Sequence, residues 1–328
     1  MERRFKPKAA RLMDQVREVL RFHHYSINTE KSYVSWILKY IRFNDRRHPK
    51  DMGREEIERY LSHLALNRNV AASTQNQALN AILFLYHQVL GIKIEGRISA
   101  IRSRKPKRLP TVLTKREVRA VLEHVSGVSG LMLKLMYGSG LRITETLKLR
   151  VHDIDIDRLQ IYVRSSKGNK DRTTVLPTVL VPDIQAHLVQ VRKLYELDKT
   201  EHKADVYVPP AVSNKYRHAG KSWGWQYLFP SQQRSIDPRS GRERRHHIHK
   251  TTILKAIGKA RNKVGLAKTI TPHVFRHSFA THLLEDGVNI RTVQTLLGHK
   301  DVKVTEIYTH VMDKSIAGIH SPLETLEK

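Results

Sequence analysis

Apolar side chains recur at helical spacing through the first hundred residues of the chain. Residues 28–43 carry one such stripe, formed by Tyr33, Trp36, Ile37, Tyr40 and Ile41. Residues 79–90 carry another, formed by Leu79, Ile82, Leu83, Tyr86 and Leu90. Steps of three and four residues place each set on one face of a helix. We therefore expect a helical bundle over residues 1–101, with further helices over 11–23 and 54–66.

Two residues are predicted to mark helix ends within this bundle. Asn28 precedes the first stripe and can accept a hydrogen bond from a free backbone N–H, as an N-cap does. Gly91 follows the second stripe directly, and glycine ends helices readily because it tolerates left-handed backbone.

A second domain is predicted over residues 111–328. Thr114 and Glu117 have the spacing of a capping box and can begin its first helix. Further helices are expected over 131–137, 142–149, 183–199 and much of 251–328, and short strands over 159–163 and 173–176. Residues 200–250 are less regular. The predicted fold class is mainly α with a small β-sheet (α+β).

The segment RSRKPKRLP, residues 102–110, is predicted to link the two domains. Five of the seven residues from Arg102 to Arg108 are Lys or Arg, among them Lys105 and Lys107. The segment can be a solvated tether, or it can lie along a phosphate backbone between two DNA-binding domains. A basic domain on each side favours the second hypothesis.

The net positive charge of the chain limits the kinds of molecule that it is expected to bind. The chain carries 59 Lys and Arg against 31 Asp and Glu, a formal net charge of +28. Such an excess opposes folding unless an anion binds, and nucleic acid is the usual partner. A membrane is the alternative, but no apolar run approaches the ~20 residues of a membrane span. We therefore expect nucleic acid as the partner and no membrane association.

Cysteine usage and the N-terminal sequence bear on the cellular location. The chain has no cysteine, which excludes disulfides and thiolate zinc sites. Its first residues, MERRFKPKAARLMDQ, lack the apolar core of a secretory signal. A reducing cytoplasm fits both features.

Four separated stretches carry candidate chemistry. They are GSGLRITETLKL (138–149), RSSKGNKDR (164–172), TPHVFRHSFATHLLEDG (271–287) and LLGHKDVKVTEIYTHV (296–311). A phosphodiester transition state needs guanidinium groups on its oxygens, a nucleophile such as tyrosine, and an acid for the leaving oxygen. Singly these signals are weak, so the case rests on the set and its order along the chain.

The histidines of TPHVFRHSFATH allow three interpretations. His273 and His277 have the i, i+4 spacing of a helical metal pair, whereas His273 and Arg276 have the i, i+3 spacing of two groups on one anion. A surface helix is the third. A catalytic zinc helix requires His-Glu-x-x-His, and the cation at Arg276 opposes metal binding. No metal or other cofactor is expected, and His277 is interpreted as bonded to neighbouring structure rather than catalytic.

In this order the four stretches resemble those of the tyrosine recombinase (phage integrase) family. The resemblance covers the second domain, and the helical first domain resembles the family's SAM-like core-binding domain. It implies a C-shaped clamp on DNA, assembly from a dimer to a cyclic tetramer, and strand transfer without ATP. The tail, with a helix expected over about 315–328, would dock on a neighbouring protomer.

The resemblance also implies a role for each matching residue. Arg142 and Arg276 would hold the scissile phosphate, and Lys167 would protonate the 5′ oxygen. His273 would assist proton transfer and His299 would donate to the phosphate. Tyr308 would be the nucleophile and form a 3′-phosphotyrosyl link. Glu145 would support Arg142 from one helical turn away.

An insert at about 200–226 narrows the resemblance further. The segment VPPAVSNKY…AGKSWGWQYLFPS…RRHHI resembles integron integrases, a branch that recombines gene cassettes at folded single-stranded sites with extrahelical bases. Planar rings among cations suit such bases. We expect pockets formed by Trp223 or Trp225 with Pro238, His246 and His247. A phosphate grip is expected from Arg242, Arg244 and Arg245.

Three alternatives remain open. The tryptophans can instead anchor the insert in the protein core, with GRERRHH as a general phosphate-binding segment. Within the family, a phage or chromosome-dimer recombinase would act on duplex sites. From another class, a DNA-binding protein without catalytic activity would use the same basic residues.

Overall fold

The computed structural model describes residues 5–103, 110–164, 171–299, 301–306 and 308–309. The described chain is mainly helical with two small antiparallel sheets, which confirms the predicted fold class. It divides into two compact units between Arg108 and Leu109, a point within the predicted linker. Lys105, Lys107, Lys167 and the tail helix expected over about 315–328 lie outside the described residues.

The first unit is a bundle of α-helices with two adjoining apolar clusters. Its helices are α1 (Leu12–Phe22), α2 (Ile27–Phe43), α3 (Arg54–Leu66) and α4 (Ala72–Phe84), and α4 continues into a π-helical segment, Leu85–Leu90. The predicted stripes face the core, where Tyr40 and Tyr86 are fully buried with their hydroxyls 3.0 Å apart. Burial of these stripes supplies the main driving force for the bundle.

Of the two helix ends predicted in the first unit, the structure confirms one and contradicts the other. Gly91 does end the π-helical segment, with a left-handed φ of 74°. The prediction for Asn28 was wrong, because Ser26 caps α2 and accepts a hydrogen bond from the backbone N–H of Thr29 at 3.1 Å. Asn28 lies within the first turn, one residue after the helix begins.

The second unit combines α-helices with two small antiparallel sheets. In chain order its elements are α5 (Lys115–Glu123), α6 (Gly127–Gly138), α7 (Ile143–Lys148), β1 (Ile154–Asp155), β2 (Gln160–Val163), β3 (Arg172–Val175), α8 (Val181–Thr200), α9 (Pro210–Lys215), β4 (Pro230–Ile236), β5 (Glu243–His247), α10 (Lys250–Val264), α11 (Pro272–Glu285), α12 (Ile290–Leu297) and α13 (Lys303–Glu306). The capping box of Thr114 and Glu117 begins α5 as predicted.

The two predicted strands pair in an antiparallel sheet of order β1-β2-β3. Ile161 lies opposite Thr174, and both are buried. The strand β1 was not predicted, since a two-residue strand carries no detectable period. The second sheet, the hairpin of β4 and β5, was also missed in the region expected to be irregular.

Helix α11 runs through the interior of the second unit. Val274 and Phe275 belong to its main apolar cluster, while Phe279 and Ala280 pack in a second cluster with Tyr308. A helix buried on several sides has a rigid backbone, which suits it to hold polar groups at fixed positions.

The insert at about 200–226 is packed onto the rest of the unit. The guanidinium of Arg150 is buried, stacks 3.6 Å from the centroid of the Tyr227 ring, and donates to the carbonyls of Tyr207 and Trp225. The amide of Gln226 donates to three further carbonyls of the insert. These bonds satisfy loop backbone that burial would otherwise leave without partners.

Both tryptophans of the insert are half-buried against protein side chains. The Trp223 ring lies 5.5 Å from the ring of Tyr195 on α8, and the Trp225 ring lies 4.6 Å from that of His152. Both residues belong to one 3-10 turn. This packing supports the alternative in which the tryptophans anchor the insert.

A buried ion cluster joins α8 to the β4–β5 hairpin. Asp198 is 2% exposed and accepts two hydrogen bonds from the guanidinium of Arg245, at 2.5 and 2.6 Å. Arg245 also donates to the carbonyls of Ser231 and Gln232, and Arg234 donates to Asp198 at 3.0 Å. The cluster therefore ties the hairpin to the long helix beside the insert.

We predict that Asp198→Ala destabilises the second unit by ~3–5 kcal/mol, because it leaves the buried Arg245 without a counter-charge. The measurement is the free energy of unfolding in urea. Glu196→Ala on the same helix is the matched control, since its ion pair with Arg192 is exposed and should contribute less than ~1 kcal/mol. Equal losses in the two variants would contradict the prediction.

Candidate active site

A glycine turn places Arg142 at the start of α7. Gly140 has a φ of +63°, and a Cβ there would come within 2.5 Å of the Phe279 ring, so the turn passes α11 only because it lacks a side chain. The backbone N–H of Arg142 donates to the Glu145 carboxylate at 2.8 Å, and its guanidinium donates to the same group at 2.6 Å. Glu145 thus fixes Arg142, as the resemblance implied.

The Glu145 carboxylate lies among three arginines. Arg172, at the start of β3, donates two hydrogen bonds to it at 2.9 and 2.7 Å and a third to the carbonyl of Leu296 at 2.8 Å. Arg276 lies 3.7 Å from it. Burial opposes ionisation of Glu145, but Arg172 and Arg142 outweigh it and lower the pKa to about 2. Three guanidinium charges thus meet one carboxylate, which leaves positive charge for an anion.

Arg276 extends from α11 into the same space and is 3% exposed. Its guanidinium donates to the carbonyls of Gly140 and Leu297, and one nitrogen lies 3.3 Å from Nε2 of His299. Burial, together with the charge of Arg142, lowers the pKa of Arg276 to about 9. The group therefore stays charged at neutral pH, and its weak hydration favours binding of an anion.

Two histidines adjoin Arg276. His273 is one turn earlier on α11 and is exposed, and His299 follows the end of α12 with its Nδ1 2.9 Å from the hydroxyl of Thr305. Partial loss of hydration and the charge of Arg276 lower the pKa of both, that of His299 to about 4. Each imidazole is therefore neutral at pH 7 and can donate one hydrogen bond and accept another.

Tyr308 is 2% exposed and lies between histidines. Its hydroxyl is 3.0 Å from Nδ1 of His277, and its ring stacks on that of His299 with the centroids 6.2 Å apart. Burial raises the pKa of Tyr308, and the charges of Arg276 and Arg142 oppose that rise. The hydroxyl therefore lies within electrostatic reach of both predicted phosphate ligands.

The neighbour of His277 was not anticipated from the sequence. Its bond is indeed to neighbouring structure, but the partner is the candidate nucleophile. The spacing of His277 from Arg276 and from Tyr308 carries no signal for this contact, which depends on how α11 meets the end of the described chain.

The metal interpretation of the histidines finds no geometric support. The rings of His273 and His277 are 6.4 Å apart between centroids, and His277 faces Tyr308. Among the described residues, no group of three or more His, Cys, Asp or Glu side chains has the arrangement of a metal site.

The structure brings most of the predicted catalytic set together. Residues from α7, α11, α12 and the segment after it converge on one site; they are Arg142, Glu145, His273, Arg276, His299 and Tyr308. Sequence reasoning missed Arg172. It stands at the end of the quoted stretch RSSKGNKDR, but only its burial against Glu145 distinguishes it from the other basic residues there.

Two of the predicted phosphate-binding arginines are engaged inside the protein. Arg245 is 7% exposed and fully occupied by Asp198 and backbone carbonyls, so the prediction that it contacts DNA does not fit this structure. Arg244 donates to Asp205 at 3.0 Å and to Asp237 at 3.2 Å. The sequence predicts basic character but not which charges are already paired.

The other predicted base-binding residues lie on or near the hairpin surface. Pro238 and Arg242 are exposed at its tip, and His246 is exposed on β5 with its ring 5.3 Å from that of Tyr227. His247 is half-buried and bonded to the carbonyl of Ile248 at 2.7 Å, and burial lowers its pKa to about 4. His246 is therefore the more accessible of the two histidines.

We predict that Glu145→Gln lowers the free energy of unfolding by about 3 kcal/mol at pH 7, because the variant leaves the arginines around residue 145 without their shared counter-charge. The pKa of Glu145 is depressed, so its stabilisation is fully present above its ordinary pKa of 4.5 and is lost as pH falls through about 2.

Urea unfolding of wild type and Glu145→Gln between pH 7 and pH 2 tests this expectation. The free energies of unfolding of the two proteins should become nearly equal as the pH approaches 2. Asp183→Asn, which removes an exposed ion pair with Lys134, is the control and should cost less than ~1 kcal/mol. A difference between wild type and Glu145→Gln that is independent of pH would contradict the assignment.

None of the described helices is long and apolar enough to cross a membrane.

Two family models match the chain. Residues 111–315 match the phage integrase family, and residues 12–95 match the N-terminal SAM-like domain of phage integrases.

Several known proteins resemble the chain over nearly its whole length. An integrase/recombinase of Escherichia coli is 45% identical over 319 residues, covering 97% of this chain and 95% of the relative. Tyrosine recombinase XerA of Thermococcus kodakarensis is 30% identical, covering 92% of each chain. XerH recombinase bound to difH, in a post-cleavage complex, matches in fold with a TM-score of 0.60 at 18% identity, covering 94% of this chain and 83% of that one. With the convergent site described above, these matches show that the chain belongs to the phage integrase family of tyrosine recombinases.

Proposed function

We propose that this chain is an integron integrase, which integrates and excises gene cassettes through a 3′-phosphotyrosyl intermediate. Its cassette sites would be folded single strands with extrahelical bases. The observation that carries the proposal is the insert at about 200–226. It is anchored through Arg150 and Gln226 and lies beside a hairpin that exposes Pro238, Arg242 and His246.

The convergent site supports the chemistry of strand transfer. Arg142 and Arg276 would bind the non-bridging oxygens of the scissile phosphate, where charge accumulates. Tyr308 would attack phosphorus, and Lys167 would protonate the departing 5′ oxygen. His273 and His299, both neutral at pH 7, would donate to the phosphate or carry protons.

The reaction needs no external energy source. One phosphodiester is exchanged for a phosphotyrosyl ester and then for a new phosphodiester, so the number of such bonds is unchanged. The surplus guanidinium charge around Glu145 would supply the stabilisation that a metal ion provides in other enzymes. We therefore propose a reaction independent of ATP and metal.

Recognition of the folded strand would combine stacking with backbone contacts. His246 and Pro238 would hold flipped-out bases, with Arg242, Lys105 and Lys107 on phosphates. Trp223, Trp225 and His247 would support that surface from below, because their rings are half-buried. A dimer would pair on one site and a cyclic tetramer would join two sites on the bacterial nucleoid, with each tail docked on a neighbouring protomer.

A second candidate is a recombinase of duplex sites. The relatives support it, since XerA of Thermococcus kodakarensis and XerA of Thermococcus onnurineus are 30% and 31% identical over more than 90% of this chain. Such an enzyme would use the same catalytic residues but would read two paired strands, and the insert would serve another purpose.

We predict that wild-type protein forms a covalent adduct with nicked site DNA and that Tyr308→Phe forms none, because the phenyl ring has no oxygen to attack phosphorus. Denaturing gels of radiolabelled DNA detect the adduct. The adduct should persist in EDTA, whereas a metal-dependent nuclease would stop. Absence of an adduct in wild type, with DNA binding intact, would favour the DNA-binding protein without catalytic activity.

We predict that His246→Ala weakens binding to a cassette hairpin with an extrahelical base by roughly tenfold, since stacking on one base contributes ~1–3 kcal/mol. Binding to the same hairpin without that base should change little. His218→Ala, which removes another exposed histidine of the insert, is the matched control.

The duplex form of the same site separates the two candidates. An integron integrase should bind and cleave one folded single strand in preference to the other strand and to the duplex. Preference for the duplex, or equal loss on both hairpins in His246→Ala, would favour the duplex-specific recombinase.

A further inference from the structure

His277 is a half-buried histidine that the reaction outlined above does not use. Its Nδ1 lies 3.0 Å from the hydroxyl oxygen of Tyr308, with the ring centroids 5.4 Å apart. A hydrogen bond of this length is within the range over which a proton passes between a general base and its acid. The contact is to the one oxygen that attacks phosphorus in the proposed reaction.

A second histidine–tyrosine pair on α11 provides an internal comparison. Nδ1 of His282 lies 2.9 Å from the hydroxyl of Tyr137, at nearly the same distance. The charges that act on Tyr137 are those of Lys115, Asp286 and Glu285. None of these charges is a guanidinium group of the candidate site, so a histidine–tyrosine hydrogen bond of this length does not by itself mark a reacting group.

The pair of His277 and Tyr308 differs in its surroundings. The charges that act on Tyr308 are those of Arg276 and Arg142, the two predicted phosphate ligands. A phosphate held by these two arginines would lie near the Tyr308 hydroxyl, which is already 3.0 Å from Nδ1 of His277. Position, partner and neighbouring charge together indicate a proton acceptor.

We propose that His277 is a catalytic residue that takes the proton of Tyr308 during cleavage and returns it during ligation. In cleavage the Tyr308 O–H bond breaks, its proton goes to Nδ1 of His277, the oxygen bonds to phosphorus, and the P–O5′ bond breaks as the 5′ oxygen is protonated. In ligation the 5′ hydroxyl gives its proton back to Lys167, the acid proposed above, and its oxygen bonds to phosphorus. The bond between phosphorus and the Tyr308 oxygen breaks, and that oxygen takes the proton from His277. This role rests on Tyr308 being the nucleophile.

The local electrostatics suit a base that becomes active when substrate binds. In the free protein burial, followed by the charges of His273 and Arg276, lowers the pKa of His277 to about 4. The groups that face His277 are His273 and Arg276 on its own helix, His299 from the end of α12, and Tyr308. The phosphodiester monoanion bound beside Arg276 would offset that positive charge and make His277 a stronger base.

The test is His277→Asn, assayed for adduct formation on a nicked site. The Asn side-chain oxygen can replace Nδ1 as a hydrogen-bond acceptor but cannot carry a proton. We expect adduct formation to slow by roughly 10²-fold, the usual contribution of a general base, with DNA binding and melting temperature retained. His282→Asn on the same helix is the matched control and should cleave at the wild-type rate.

A 5′-bridging phosphorothiolate substrate distinguishes a base from an acid. Its thiolate leaves without protonation, so it restores the rate of a variant that lacks the general acid. The defect of His277→Asn should persist on it. Rescue by this substrate, or a His277→Asn rate within threefold of wild type, would overturn the proposal.

A pH profile supplies a second measurement, in which the rate of each protein is compared with its own rate at pH 7. The pKa of His277 is lowered, so the neutral base predominates at neutral pH and is lost as pH falls through that pKa. Wild-type adduct formation should therefore decline toward acid, and His277→Asn should lack that decline. A different result would contradict the proposed function itself: either the wild-type protein would form no adduct, or Tyr308→Phe would still form one.

Discussion

The shared carboxylate of Glu145 is the interaction on which the rest of the site depends. It binds Arg142 and Arg172 directly and lies 3.7 Å from Arg276, so it holds like charges together that would otherwise repel. One carboxylate does not neutralise three guanidinium groups. The remaining positive charge prepares the site for a phosphate. The repulsion between the guanidinium groups is overcome when the protein folds, so it does not have to be overcome when DNA binds.

Helix α11 holds several of the site residues at fixed positions. It is packed in the interior of the second unit and carries His273, Arg276 and His277 within five residues, little more than one turn. The same helix contacts Gly140, which has no side chain, so the turn before Arg142 can approach closely. Burial keeps the histidines neutral at pH 7, and neutral imidazoles can both donate and accept protons, which the two directions of strand transfer require.

Two buried arginines that pack beside the insert have the opposite role. Arg150 and Arg245 are buried and satisfied by carbonyls, Asp198 or an aromatic ring, and so they stabilise the fold instead of binding a partner. Basic residues in this chain thus divide into paired groups in the interior and exposed groups such as Arg242. Net charge indicates a nucleic-acid partner, but only burial and pairing identify which cations are free to meet it.

The sequence by itself determined the helical class, most element positions and most of the residues that meet in the candidate site, because apolar periodicity and motif order are local properties of the chain. It did not predict β1, the β4–β5 hairpin, or Ser26 as the cap of α2, since these depend on one or two residues with weak signals. Only the tertiary structure joined Arg172 to Glu145, Asp198 to Arg245 and His277 to Tyr308. Each of these contacts joins residues 27 to 47 positions apart, and no local pattern encodes which buried charge or hydroxyl will meet which partner once the helices pack.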